Sequence, residues 1–239
     1  MKHIKHQRVS SSISDADANL SVIGVFQVVQ DAVTELLDKL QMSNPAMRKQ
    51  YNAVWLFTRN RAKLFNPLQW GGEFTVTAFV SSVTHATLII DVAIKNADDV
   101  LCAYSRVETC VLSLSTMRIL RLQTIDAIAA VTVEKPKIDV TFTKFDCSPT
   151  KQVDTVRVGS TNIDMSQHTN NVEYVRFILN AYTVKELHDR PIREIEIRYI
   201  SQSYENDILT VYKQSCAADK DVFLLKSDDK DVVKCEVLF

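Results

Sequence analysis

The sequence predicts an α+β fold built from two similar units, each with one long helix packed on an antiparallel sheet. Two apolar stripes at helical spacing, each preceded by a short polar stretch, lie 149 positions apart (164 − 15 = 149). About four strand-like segments follow each stripe, including a hairpin with an acidic turn. A helix on one antiparallel sheet is an α+β layer, so two such units predict an internal pseudo-dimer with joined sheets.

The first unit is predicted to begin with a strand over residues 2–12 and to continue with a helix. Apolar residues at helical spacing draw the buried face of this helix: Val22, Val25, Phe26, Val29, Ala32, Val33, Leu36, Leu37 and Leu40. Strands are then predicted at 55–61 and from Gly72. A hairpin over 92–100 and a last strand at 102–107 complete the unit. We place this N-terminal unit at residues 1–130.

The second unit, predicted over residues 151–239, repeats the order. A strand at 153–158 precedes a helical stripe from Val172 to Tyr182. Strands follow at 195–200 and after Asn206, with a hairpin over 223–232 and a last strand at 235–239. Residues 131–150 are predicted as a linker, in which the alternation over 138–144 indicates a strand.

The polar stretches before the two helices differ in their chemistry. At the constant offset, the aligned pairs are Asp15 with Asp164, Asp17 with Ser166, Asn19 with His168, and Ser21 with Asn170. Only the second stretch contains a histidine. We therefore expect the chemistry in the second unit and interpret the first stretch as a structural remnant of duplication.

The composition excludes several classes of function. A net charge of −1 offers no electrostatic footprint for nucleic acid, and no apolar run is long enough for a membrane span. Four glycines form no phosphate-binding loop, and we expect no cofactor. The five scattered cysteines, Cys102, Cys110, Cys147, Cys216 and Cys235, indicate reduced thiols in the cytoplasm and neither metal ligands nor disulfides.

The candidate site is the start of the second helix. Asp164, Ser166, His168 and Asn170 crowd a helix end that carries unpaired N–H groups and a positive dipole, which suits a developing oxyanion. The alternative is an ordinary N-terminal cap, in which Thr169 or Asn170 closes the backbone and His168 is merely adjacent.

The run Asp164-Met-Ser-Gln-His-Thr-Asn-Asn-Val-Glu-Tyr174 resembles the Asp-x-Asn-x-His-x-Asn-Asn-x-x-Tyr motif of acyl-acyl carrier protein (ACP) thioesterases. The resemblance implies a double hotdog fold and hydrolysis of fatty acyl thioesters on ACP, with the N-terminal unit, residues 1–130, shaping the acyl pocket. It also places Gln202 and Ser203 where plant members have glutamate and cysteine. Because glutamine is no general base and serine is a weak nucleophile, a cysteine-type covalent mechanism is disfavoured.

We therefore predict that His168 activates water. Asp164 would orient the imidazole or take the proton itself, and Gln202 and Ser203 would hold the water or the pantetheine arm. Backbone N–H groups around Asn170 and Asn171 would polarise the carbonyl.

Three alternatives remain open from the sequence alone: an acyl-binding protein with weak or no activity, an acyl-CoA thioesterase, and a hotdog dehydratase or hydratase. The expected partner is ACP, with acyl-CoA as a second carrier. No nucleic acid or membrane partner is expected, and a homodimer is compatible with the sequence.

Overall fold

The computed structural model describes residues 1–144 and 148–239. This part of the chain divides into two compact units, Met1–Val140 and Thr141–Phe239, so the division falls within the segment predicted as a linker. Among the described residues, no helix has the length and apolar character needed to cross a membrane. Cys147 lies outside the described residues.

Unit 1 is one antiparallel sheet with a long helix packed on it. Its strands are β1 (Lys2–Arg8), β2 (Ala53–Leu64), β3 (Glu73–Val83), β4 (Thr87–Asn96) and β5 (Leu101–Ser113). They pair in the order β1-β3-β4-β5-β2. The helices are α1 (Val22–Lys39) and α2 (Asn44–Tyr51), and α1 packs against β1, β3 and β4.

Helix α1 forms where the apolar stripe predicted it. Ser21 caps its start, since its Oγ accepts a hydrogen bond from the Gly24 N–H at 2.8 Å. Val29, Val33 and Leu36 on the stripe are fully buried. Burying each such side chain contributes roughly 1.5–3 kcal/mol, which holds the helix on the sheet.

Unit 2 has the same order of elements. Its strands are β6 (Lys151–Arg157), β7 (Glu194–Tyr199), β8 (Ile208–Ala217), β9 (Lys220–Ser227) and β10 (Lys230–Leu238), paired in the order β7-β10-β9-β8-β6. Helix α3 (Asn171–Leu179) follows β6, and α4 (Val184–Asp189) follows α3. The predicted α+β fold with a helix on an antiparallel sheet in each half is confirmed.

The internal repeat extends to individual backbone hydrogen bonds. The Asp15 N–H donates to the Asn19 carbonyl at 2.8 Å, and the Asp164 N–H donates to the His168 carbonyl at 3.1 Å. The polar stretches before α1 and α3 therefore fold into the same loop, although only one of them carries the imidazole.

Left-handed backbone conformations repeat at matching points. In the two loops, Ala18 has φ +58° and Gln167 has φ +66°. In the turns before β3 and β8, Gly71 has φ +80° and Asn206 has φ +73°. Glycine and asparagine tolerate this region best, which explains their presence in those turns.

Three predictions of secondary structure were wrong. The strand predicted over 138–144 is irregular, because its groups bond elsewhere: the Val140 carbonyl accepts from Arg106 Nη1 at 2.7 Å, and the Thr143 N–H donates to Glu196 Oε2 at 2.8 Å. The second helix is not long, since α3 ends at Leu179 after 9 residues. Strand β1 ends at Arg8 and is followed by a 3₁₀ turn, Ser11–Ile13.

Candidate functional site

The loop that contains the predicted site is organised by Asp164. Its Oδ1 accepts a hydrogen bond from the Ser166 N–H at 2.8 Å, and its Oδ2 lies 3.4 Å from Asn170 Nδ2. The carboxylate thus ties the beginning of the loop to its end. Asp164 and Ser166 are both half-buried. Among the described residues, no hydrogen bond joins the Asp164 carboxylate to the His168 imidazole, so the structure shows the carboxylate as a loop anchor.

The imidazole of His168 lies on the same loop and is half-buried. Its Nδ1 is 3.3 Å from the carbonyl oxygen of Thr169. A carbonyl can only accept, so this contact requires the proton on Nδ1 and leaves Nε2 as the basic nitrogen. A neutral histidine in this tautomer can take a proton from water.

Asn170 is the N-cap of α3. Its Oδ1 accepts from the Val172 N–H at 2.9 Å, as in the cap alternative considered above. The Asn170 N–H donates to the Asn162 carbonyl at 2.8 Å, so it is not available to a substrate oxygen. Asn171 is the first helical residue, and its N–H has no intrahelical carbonyl within reach. Of the two amides predicted to polarise the carbonyl, Asn171 is the one left for that role.

Ser203 has a fully buried side chain, in contact with two other hydroxyl groups. Its Oγ lies 2.7 Å from Thr169 Oγ1 and 2.9 Å from the hydroxyl of Tyr174. The Thr169 N–H donates to the Ser203 carbonyl at 2.9 Å. Ser203 therefore joins the histidine loop to the segment after β7, with its hydroxyl bonded inside the protein.

Gln202 is exposed, and its side chain bonds to a residue of the same segment. Its Oε1 accepts from the hydroxyl of Tyr204 at 3.1 Å. The described hydrogen bonds do not connect Gln202 to Asp164, Ser166 or His168. The structure thus brings Asp164, Ser166, His168 and Asn170 together on one loop. Ser203 contacts this loop through Thr169.

Two supporting pairs were missed by the sequence reasoning. Thr169 and Tyr174 hold Ser203, whereas the sequence indicated Thr169 only as a possible cap and Tyr174 only as part of the motif. Asn162 Nδ2 donates to Glu173 Oε2 at 2.7 Å, which fixes the loop start against the first turn of α3. The sequence could have indicated the role of Tyr174, because a tyrosine within the apolar face of a helix needs a hydrogen-bond partner for its hydroxyl.

Other features of unit 2 lie away from this loop. A groove of about 510 Å³ opens beside Ala181, past the C-terminal end of α3, whereas His168 precedes the N-terminal end. Lys151 and Lys213 line that groove. Within residues 1–144 and 148–239, no three His, Cys, Asp or Glu side chains are grouped so as to hold a metal ion.

Unit 2 matches a known protein family, and the whole chain is similar to solved structures. Residues 148–237 match the family model described as the acyl-ACP thioesterase C-terminal domain. The crystal structure of an acyl-ACP thioesterase from Bacteroides thetaiotaomicron is similar, with a TM-score of 0.93 and 16% identity over 100% of this chain and 97% of that one. The 12:0-ACP thioesterase from Umbellularia californica has a TM-score of 0.83 and 12% identity, covering 99% of this chain and 96% of that one. A search of curated proteins by sequence finds no match.

The fold is the α+β double hotdog fold that these two structures share. The match of residues 148–237 to the acyl-ACP thioesterase C-terminal domain covers most of unit 2. The resemblance seen in the run Asp164–Tyr174, which lies within the matched residues, is thereby confirmed.

Proposed function

We propose that this protein hydrolyses fatty acyl thioesters carried by ACP, releasing a free fatty acid and the carrier thiol. The observation that carries the proposal is the half-buried His168 on the anchored loop before α3, with Nδ1 against the Thr169 carbonyl. That geometry leaves Nε2 free as a base beside a helix N-terminus. The C-terminal domain match supports the thioester as the substrate class.

The reaction divides into two steps. In the first, His168 Nε2 takes a proton from water while the water oxygen attacks the thioester carbonyl carbon, and the Asn171 N–H stabilises the oxyanion. In the second, the oxyanion collapses, the C–S bond breaks, and the imidazolium returns its proton to the leaving thiolate. The products are a carboxylic acid and a thiol, and no oxidant or cofactor is consumed.

The other predicted residues take supporting roles in this proposal. Asp164 holds the loop through Ser166 and Asn170, and its negative charge favours the imidazolium formed in the first step. The Ser166 hydroxyl, on the same loop, can hold the attacking water. Ser203 does not contact the substrate in this proposal, because its buried hydroxyl is already bonded to Thr169 and Tyr174. Gln202 is exposed and is left to contact the pantetheine arm.

The carrier and the pathway are also part of the proposal. Hydrolysis of acyl-ACP would end chain elongation in fatty acid biosynthesis, which takes place in the cytoplasm of bacteria, and acyl-CoA is the second carrier to be tested. ACP is acidic, so a basic surface near the site would favour its approach.

The test is thiol release from acyl-ACP and acyl-CoA over a range of chain lengths, for the parent and for two pairs of variants. We expect His168→Ala to lower kcat by about 10²–10⁴, the usual contribution of a positioned base. Asp164→Ala should also lower kcat, because the loop that holds His168 loses its anchor. Asn19→Ala and Asp15→Ala alter the matching loop of unit 1 and should leave kcat unchanged.

Equal turnover by folded His168→Ala and the parent would refute the assignment of the base. Binding of acyl-ACP without thiol release by the parent would show a binding protein, and hydration of an enoyl thioester would show a hydratase.

A further inference from the structure

A buried cluster of three hydroxyl groups lies directly beneath the histidine loop. Thr169 Oγ1 is 2.7 Å from Ser203 Oγ and 3.0 Å from the Ser203 carbonyl oxygen. The Tyr174 hydroxyl is 2.9 Å from Ser203 Oγ and accepts from the Ser203 N–H at 3.1 Å. Thr169 and Ser203 are fully buried, and Tyr174 is 3% exposed. We call these three residues the hydroxyl cluster.

Unit 1 makes the same loop without any of these hydroxyls. The residues at the matching positions are Leu20 for Thr169 and Val25 for Tyr174, at the offset of the repeat. The Leu20 N–H donates to the Leu68 carbonyl at 2.6 Å, just as the Thr169 N–H donates to the Ser203 carbonyl. Apolar side chains therefore suffice to close this loop on its neighbouring segment.

Since unit 1 closes its loop with apolar side chains, the three buried hydroxyls are not required for closing the loop. A buried hydroxyl must be paired to offset its desolvation, and a pair replaced by apolar groups of the same shape is often neutral or stabilising. The loop closed by hydroxyl groups occurs in the unit that carries His168. This difference associates the hydroxyl cluster with the chemistry of the loop.

The link from the cluster to the imidazole is the Thr169 main chain. Thr169 is held at its N–H and at its Oγ1 by Ser203, while its carbonyl oxygen faces His168 Nδ1 at 3.3 Å. A carbonyl held in this direction stabilises the tautomer with hydrogen on Nδ1. If the carbonyl turned away, the imidazole would lose that preference, and Nε2 would carry the proton in part of the molecules.

We propose that Thr169, Ser203 and Tyr174 are positioning residues, which hold the Thr169 carbonyl against His168 and so keep Nε2 unprotonated in the neutral imidazole. The catalytic role of this tautomer rests on the proposed function. The tautomer itself can be measured whether or not the protein is a thioesterase.

The hydrogen bonds admit an assignment that uses every hydroxyl proton of the cluster. Tyr174 donates to Ser203 Oγ, Ser203 donates to Thr169 Oγ1, and Thr169 donates to the Ser203 carbonyl. Burial raises the pKa of Tyr174, which keeps its hydroxyl protonated as the first donor of this chain. Removing Tyr174 Oη or Ser203 Oγ thus releases the restraint on Thr169.

The direct test is the ¹⁵N NMR spectrum of the histidine side chains at a pH where the ring is neutral, with the His168 signals identified by their loss in His168→Ala. We expect the Nδ1–H tautomer in the parent. Thr169→Val, Ser203→Ala and Tyr174→Phe should each give mixed tautomers, and Thr169→Ser should restore the parent spectrum. An Nε2–H tautomer in the parent, or parent-like spectra in all three variants, would overturn the proposal.

Tyr104→Phe is the matched control for Tyr174→Phe. Tyr104 is 2% exposed in unit 1, and its hydroxyl bonds Asp91 Oδ2 at 3.0 Å, so the change removes a buried hydroxyl far along the chain from His168. The His168 spectrum should be unchanged in this variant. A change as large as in Tyr174→Phe would mean that general loosening, and not the cluster, moves the tautomer.

Kinetics supply the second measurement on the same variants. If the proposed hydrolysis is correct, Tyr174→Phe and Ser203→Ala should lower kcat about 10- to 100-fold, the size of effect that a misplacement of about 1 Å produces. KM should change less than threefold, because the substrate contacts remain. A parent with the expected tautomer but no thioesterase activity would refute the function and leave the positioning role intact; the expected kcat loss with an unchanged tautomer would refute the positioning role.

Discussion

The side chain of Asn170 joins Asp164 to the first turn of helix α3. Its Nδ2 lies 3.4 Å from Asp164 Oδ2, while its Oδ1 accepts from the Val172 N–H at 2.9 Å. One amide group therefore contacts the Asp164 carboxylate and also caps helix α3. A change at this position should affect both stability and activity, whereas the cap of α1 should affect stability alone.

The first prediction compares the two caps. Asn170→Ala should lower the free energy of unfolding by about 1 kcal/mol and reduce kcat, because the helix loses its cap and Asp164 loses its partner. Ser21→Ala removes the cap of α1, where Ser21 Oγ accepts from Gly24, and should cost about the same without altering kcat. Urea unfolding and thiol-release kinetics on both variants provide the comparison. An equal loss of kcat in the two would contradict a specific role for Asn170.

The second prediction concerns the buried ion pair of unit 1. Arg106 Nε and Nη2 each lie 2.8 Å from the Asp91 carboxylate, which is fully buried. Arg106→Met leaves that charge without its partner and should cost about 3–5 kcal/mol in urea unfolding.

Lys185→Met is the control for this change. It breaks the exposed pair with Asp189 on helix α4 and should cost no more than about 0.5 kcal/mol. Similar costs for the two variants would show that burial does not govern the Asp91 pair.

The third prediction is a pH dependence of stability that originates at His3. Desolvation by burial lowers the pKa of His3, and the positive charges of Lys39 and Lys5 act in the same direction, against Glu35. Glu35 Oε2 lies 2.8 Å from His3 Nε2, in an orientation that makes no hydrogen bond.

Because the folded pKa lies below the unfolded value, the unfolded chain takes up the proton first as the pH falls. The contribution of neutral His3 is therefore complete above about pH 6.5 and is lost towards the lower, folded pKa. His3→Gln should flatten the stability curve across this range in urea titrations at several pH values. A variant curve parallel to that of the parent would exclude His3 as the source.

The fourth prediction is selective thiol labelling. Burial raises the pKa values of Cys102 and Cys235, and it raises the pKa of Cys110 to about 11. Cys216 is exposed on β8. In a Cys147→Ala background at pH 8, iodoacetamide should alkylate Cys216 first, with the others following after denaturation. Peptide mass spectrometry identifies the sites, and early labelling of Cys110 would contradict the burial described.

The long elements of the fold were predictable because their signals are local. The stripe of α1 is visible in consecutive residues, and so is the alternation in β7. The constant offset between Asp15 and Asp164 identified the repeat because both units kept the same loop length. Such features depend on spacing, which the sequence displays directly.

The features that escaped prediction depend on tertiary contacts. The alternation over 138–144 is real, but Arg106 and Glu196 bond its backbone groups in place of a neighbouring strand. The short helix α2 was missed because its composition is polar. Likewise, the burial of Ser203 depends on Thr169 and Tyr174, which lie about 30 positions away along the chain.

The shared loop conformation of the two units has an evolutionary consequence. Because Asn19 and His168 occupy equivalent places in loops that share the same closing backbone hydrogen bond, a single replacement can add or remove the imidazole without changing that bond. In a chain with such a repeat, one loop can lose its reactive side chain while the fold of its unit is retained. The residues of one unit can then change with the reaction, while those of the other unit change independently.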